Sequence, residues 1–292
     1  MPSDVNFEKN YINDVLSLDD YKFIIKGMSE LEITKVRFTG GEPLLYPNLM
    51  ELIRYTNEDC KIQDIGITTN GIGLHEIAYG LYKSGLKSVN ISLDSLKEYK
   101  YKSITRCGEL KDVIKSIHKC LDLGIKVKIN CVVINGFNDD ELLDFILMTK
   151  FYPIDVRFIE LMPLGEARRI YKKGYFNIGE MIDGIDELYK INSNEKSTAQ
   201  YYKFDGSKGR VGVITPMSCS FCHECNRIRI TSNGSIKLCL HSNEEIDIKY
   251  YLNKPLIFRE TMKEMIFKKP EKHYLNENQC SDTTRKMYQI GG

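Results

Sequence analysis

Short β-branched runs recur along the first half of this chain with amphipathic segments between them, and no other feature restricts the fold as much. The runs are Lys35 to Phe38, Asp64 to Thr68, Ser88 to Ser92, Lys126 to Val133 and Asp155 to Ile159, each of strand length and spaced as βα units are. Leu110, Val113, Ile114, Ile117 and Leu121 keep to one helical face between two of them. Alternation of this kind builds a parallel sheet covered by helices. Ahead of the first run, Tyr21, Ile24, Ile25, Met28 and Leu31 repeat the helical spacing, with Ser17 placed to cap it. Residues 1–16 are mostly polar and show no strand pattern, so the chain is expected to begin partway through its first βα unit.

The rhythm stops after Pro163. Leu164 to Ser197 is polar apart from an amphipathic stretch at Ile178 to Tyr189, and a domain boundary is expected there, giving 1–163 and 164–292. Beyond it, Tyr201 to Ile214 reads as extended chain around a turn at Gly206 to Gly209. Arg227 to Leu240 reads as a hairpin around Asn233-Gly234. The tail from Pro255 is helical and then polar, ending in Ile290-Gly291-Gly292.

Composition narrows the function classes. With 41 Lys+Arg against 40 Asp+Glu, the formal charge of the 292 residues is +1, which removes the blanket positive field of a nucleic-acid binder. Any anion site has to be local. The uncharged stretch Val211 to His223 is too short and too polar to span a bilayer. The N-terminus lacks a basic, then apolar, secretory signal, so a cytoplasmic protein is expected. There the 9 cysteines are thiols, metal ligands or redox groups.

Cys219, Cys222 and Cys225 recur at every third position and Cys239 follows on the return strand of the hairpin. A tight turn presenting thiolates and a hairpin returning another can converge on one soft metal centre. Zinc held by four cysteines and an iron–sulfur cluster held by three both satisfy the spacing. Arg227 and Arg229 follow at once and, on a strand, share a face with Cys225, which suits a phosphate-bearing ligand; surface ion pairs are the plainer alternative. For Cys239 to face that side, the hairpin needs a three-residue loop, Ser232 to Gly234 with Gly234 left-handed, pairing Cys239 with Arg227. Cys60, Cys107, Cys120, Cys131 and Cys280 show no ligand spacing, and His223 and His241 flank the cluster.

The ends of the strand runs are polar. Thr39-Gly40-Gly41-Glu42-Pro43 follows the first, Thr68-Thr69-Asn70-Gly71 the second and Ser92-Leu93-Asp94-Ser95 the third, while Glu160-Leu161-Met162-Pro163 follows the fifth. Each could be a cap or a turn; together they converge at the end of the sheet where α/β proteins bind ligands. Lys128 lies inside a run that otherwise looks buried, so it meets an anion or reaches the rim.

Taken together, VRFTGGEPLL, TTNG, ISLDS, VKIN, FIELMP, the FCHECNRIRIT block with its following Cys239, and the closing IGG resemble the GTP 3',8-cyclase family of radical S-adenosylmethionine enzymes in molybdenum cofactor biosynthesis, essentially along the whole chain. The resemblance implies an α/β fold: an incomplete (βα)6 radical-SAM barrel lacking its first strand, with a C-terminal iron–sulfur domain. It implies that Cys222, Cys225 and Cys239 hold a second [4Fe-4S] cluster whose open iron meets the guanine base. GTP would be bound by Arg37, Thr68, Lys128, Arg227, Ile228 and Arg229. S-adenosylmethionine would be bound by Gly41, Ser92 and Met162, with Glu42 near its amino group, and the Gly291-Gly292 tail would reach the site. An electron donor is implied as well, and a homodimer is left open.

In such enzymes a first cluster, held by a CxxxCxxC loop, reduces S-adenosylmethionine to a 5'-deoxyadenosyl radical. That radical takes the ribose 3' hydrogen of GTP, and the carbon radical attacks C8 of guanine. The sequence starts at Met1-Pro2, where that loop would already have passed. The chain as written is therefore expected to bind GTP without cleaving S-adenosylmethionine. Two readings compete with the enzyme: a non-catalytic remnant binding a nucleotide and one cluster, and a zinc-stabilised binding module with Cys219 as fourth ligand.

Overall fold

The computed structural model describes residues 15–106, 108–192, 197–217, 222, 225–270, 283, 285 and 289. Helix α1 (Leu18–Ser29) starts at a full capping box: the Asp20 N–H donates to Ser17 Oγ (3.2 Å) and the Ser17 N–H to Asp20 Oδ2 (2.9 Å). Then come β1 (Lys35–Phe38), α2 (Leu49–Glu58), β2 (Asp64–Thr69), α3 (Leu74–Lys83) and β3 (Ser88–Ser92). Two helices, α4 (Glu98–Thr105) and α5 (Leu110–Asp122), lead to β4 (Lys126–Val133), followed by α6 (Leu142–Phe151) and β5 (Ile154–Glu160). The expected strands are all present, and the pattern at Leu110 to Leu121 is α5, with Val113, Ile117 and Cys120 fully covered.

After β5 come α7 (Ala167–Gly174), α8 (Ile178–Asp183), β6 (Tyr189–Ile191), β7 (Gln200–Lys203) and β8 (Arg210–Ile214). The amphipathic stretch from Ile178 to Tyr189 is a shorter helix than its pattern suggests, because Gly184 ends α8 and Tyr189 opens a strand. In the 8-stranded sheet, ordered β1-β2-β3-β4-β5-β8-β7-β6, β8 lies parallel to β5. The sheet therefore continues past Pro163: residues beyond it supply a further parallel strand, with β7 and β6 added antiparallel. Close approach makes this junction, since a Cβ at Gly209 would stand 2.0 Å from the Ile154 carbonyl oxygen.

One face of the sheet carries Ile65, Ile67, Val89, Ile91, Val127, Ile129, Val156 and Phe158, buried under the helices. The burial of β4 alternates strictly along its length, so the intervening residues face the other, concave side. Beyond β8, a 3-stranded sheet joins β9 (Arg229–Ile230), β10 (Ser235–Lys237) and β11 (Ile246–Asp247), and α9 (Pro255–Phe267) packs against it. Helix α1 serves both cores: Ile25 belongs to the large one, while Ile24 and Met28 join Ile236, Ile248, Phe258 and Met262 in the second. No helix among the described residues is long and apolar enough to cross a membrane.

Candidate functional site

Parallel register lines up polar residues in rows across the concave face. The innermost row runs Arg37, Gly66, Ser88; the next runs Thr68, Asn90, Lys128, Asp155, Arg210; the third runs Ser92, Asn130, Arg157, Gly212. Directly paired residues of adjacent strands share a face, so each row is a line of neighbouring side chains. Ser92 is exposed at the strand end, whereas Thr68, Asn90 and Arg157 are buried.

Arg37, half-buried, and Arg157 both lie across glycines. A Cβ at Gly66 would come within 2.7 Å of Arg37 Nη1, and one at Gly212 within 2.9 Å of Arg157 Cγ. Arg37 donates from Nη1 to the Ile67 carbonyl (3.0 Å) and from Nη2 to Ser88 Oγ (3.3 Å). Burial, with Arg157 and Arg227 nearby, pushes the Arg37 guanidinium down to about 10. Arg157 is lowered chiefly by burial, with Arg227 adding to it, and its Nε finds no hydrogen-bonding partner among the described residues. Three guanidinium groups thus share one space, an arrangement that a polyanion relieves.

Lys128 meets its anion inside the protein. Its Nζ stands 4.0 Å from Asp155 Oδ2, and Arg210 donates to both oxygens of the same carboxylate, from Nε (3.0 Å) and Nη2 (2.6 Å). At the strand ends, Gly40 takes φ +133 and a Cβ at Gly41 would meet nothing within 4 Å, so a ligand can approach that backbone. Glu42 is already engaged: Oε1 accepts from Thr69 Oγ1 (2.6 Å) and Leu44 N (3.2 Å), and Oε2 from Asn70 N (2.9 Å). Its carboxylate braces one strand-end loop against the next.

The hairpin has the expected three-residue loop. Thr231 N donates to the Ser235 carbonyl (2.9 Å), Gly234 is left-handed at φ +78, and Lys237 pairs with Arg229. Continued by two residues, that register sets Cys239 opposite Arg227. Cys225 N donates to the Cys222 carbonyl (3.0 Å), a tight turn, and Cys222, Cys225 and Cys239 are partly exposed. Arg229 is lowered by burial and by Arg227 and held up by Cys225 and Cys239, so each of these groups lies near it. Arg227 is exposed and donates to Thr198 Oγ1 (2.8 Å). Among the described residues no three His, Cys, Asp or Glu side chains stand close enough together to hold one metal ion. Cys107, Cys219, His223, Cys280 and Ile290 to Gly292 lie outside the described residues. Cys60, Cys120 and Cys131 are buried, and burial pushes Cys120 up to about 12.

Residues 5–148 match the Radical SAM superfamily, and residues 154–275 match Molybdenum Cofactor Synthesis C. The GTP 3',8-cyclase of Clostridium botulinum is 46% identical over 100% of this chain and 92% of its own, and that of Clostridium acetobutylicum is 48% identical over 97% and 90%. The chain belongs to the GTP 3',8-cyclase family. Among solved structures, Streptococcus suis SuiB bound to S-adenosylmethionine shares the fold, at a TM-score of 0.58 and 14% identity over 94% of this chain and 69% of that one.

GTP 3',8-cyclases are radical-SAM lyases of molybdenum cofactor biosynthesis. Against that membership, the structure collects Arg37, Thr68 and Lys128 on the concave face, with the Arg227 guanidinium acting on Arg37. Gly41, Ser92 and Met162 follow β1, end β3 and follow β5. Sequence reasoning missed Arg157, Asn90 and Asp155. The available signal was the one that exposed Lys128: a polar residue at period two inside a run whose alternate members, Val89 and Ile91 around Asn90 and Val156 and Phe158 around Arg157, are buried.

Proposed function

We propose that this chain binds GTP on the concave face and acts in its radical cyclisation to 3',8-cyclo-GTP for molybdenum cofactor biosynthesis. The observation that carries the reading is the convergence of Arg37, Arg157 and Arg227, in which burial and like charge lower Arg37 to about 10. A triphosphate supplies the counter-charge that the arrangement calls for. Thr68 offers a hydroxyl at the same wall, Lys128 an ammonium held in place by Asp155, and Arg229 and the Ile228 backbone the edge toward the cysteines. Gly41, Ser92 and Met162 are assigned to S-adenosylmethionine at the strand ends.

Cys222, Cys225 and Cys239 are assigned to a [4Fe-4S] cluster. Their chemistry fits: they are partly exposed cysteines on a turn and a returning strand. Thiolates that each take a different iron need not converge on one point as they do around zinc. Bound at Cys222, Cys225 and Cys239, a cluster would supply an iron open to the base; no CxxxCxxC set occurs in these 292 residues to hold the cluster that cleaves S-adenosylmethionine in the family. The residues of this chain hold the triphosphate, orient the sugar and keep the site's charge balanced.

Anaerobic equilibrium binding of GTP tests the reading. R157A and R37A should each weaken GTP at least about thirtyfold, the cost of truncating one member of a buried charged contact, with a shallower salt dependence. Unchanged affinity in both would sink it. Iron, sulfide and zinc analysis of anaerobically purified protein tests the cluster, where stoichiometric zinc without sulfide rejects it.

A further inference from the structure

Asn90 stands in the middle of β3, between Thr68 on β2 and Lys128 on β4. It is 7% exposed, and its Oδ1 has no hydrogen-bonding partner among the described residues. A buried carbonyl oxygen left without a donor costs more than an ordinary hydrogen bond returns, so one that persists in a binding face points to a ligand. The ligand atom that meets it has to bring a hydrogen. Phosphate oxygens at neutral pH bring none and would be repelled, although the surrounding Arg37, Lys128 and Arg157 suit phosphate. A sugar hydroxyl brings one. The amide also supplies an acceptor without the negative charge that an aspartate would set against those cations.

We infer that Asn90 accepts a hydrogen bond from a ribose hydroxyl of the bound nucleotide and so determines specificity for a ribonucleotide over its deoxy counterpart. The inference rests on the GTP reading above and deepens it. S-adenosylmethionine also carries ribose hydroxyls. Asn90, however, shares its row with Thr68 and Lys128 and lies about 7 Å deeper than Ser92, two strand residues away at the exposed end.

Anaerobic equilibrium binding on the full chain tests this, comparing wild type with N90A and N90D for GTP, 2'-deoxy-GTP, 3'-deoxy-GTP and S-adenosylmethionine. The wild type should bind one of the two deoxy nucleotides roughly tenfold more weakly than GTP, the worth of one hydrogen bond. N90A should lose that same factor toward GTP and nothing toward that analogue, abolishing the discrimination. N90D keeps an acceptor, so it should weaken all three nucleotides through its charge while still discriminating. A uniform loss across the three in N90A, no loss at all, or a loss confined to S-adenosylmethionine overturns the inference, as does N90D binding without discrimination. Wild type that binds no GTP overturns the underlying reading. Wild type that binds GTP but ignores both hydroxyls overturns the role of Asn90 alone.

Discussion

Arg37 and Arg157 lie on parallel strands paired continuously from β1 to β8, whereas Arg229 stands on a hairpin whose regular pairing covers only Arg229–Ile230 against Ile236–Lys237. In the first region the backbone ladder sets the position of each side chain and a glycine on the neighbouring strand makes room for it. In the second, side chains do the fastening. Lys237 is fully buried, its Nζ donating to the Ser242 carbonyl (2.6 Å) and to Glu245 (3.2 Å), and Arg285 from the C-terminal tail pairs with both oxygens of Glu245. A ladder spreads its strength over many bonds. An ion triad concentrates it in one carboxylate, so the two regions should fail differently.

The largest effect is expected for E245A, which leaves Lys237 buried without its anion. A loss of about 3–5 kcal/mol in urea unfolding is expected, with amide exchange rising in β10 and unchanged in β3 and β4. A loss below about 1 kcal/mol would show that the triad does not hold the hairpin. Burial raises the Glu245 pKa, but hydrogen bonds from Arg285 and Lys237 outweigh it and keep the group below the usual carboxylate range. Its contribution is therefore full at neutral pH and fades as pH falls through that lowered value.

Asp94 tests the sheet side with the opposite sign. Burial pushes it up to about 6 against an ordinary 3.8, although Val132 N–H donates to Oδ1 (2.8 Å). Between these values the folded chain binds more protons than the unfolded one, so stability should fall as pH rises from about 4 to about 6 and then level off. D94N keeps an acceptor for Val132 and removes the titration. It should gain about 3 kcal/mol relative to wild type above that window, with no gain at pH 3. Parallel stability curves for the two proteins would reject the assignment.

G66A and G212A probe the glycine seats. Each should cost about 1–3 kcal/mol from overpacking and weaken GTP by displacing Arg37 or Arg157. Stability loss without any change in affinity would separate the seats from the site. The smallest effect, about 1 kcal/mol, is expected for S17A, which removes the cap of α1. Because that helix serves both cores, thermal unfolding should stay a single transition. A split would show that α1 is what couples the regions.

Much of this was legible along the chain because it is local. Ser17 caps α1 as its place ahead of the helical pattern indicates, and the hairpin loop follows from requiring Cys239 and Arg227 on one side. Lys128 stands out inside its run from its immediate neighbours alone, whereas Arg37 and Thr68 were singled out by the family resemblance. Periodicity says which face a residue takes but not which residue stands beside it on the next strand, since register is settled by pairing between distant segments. Tertiary structure alone therefore gave Lys128 its Asp155, brought Arg157 to Arg37, left Asn90 Oδ1 without a donor, joined β8 to β5 and supplied the buried Lys237 with Glu245 and Arg285.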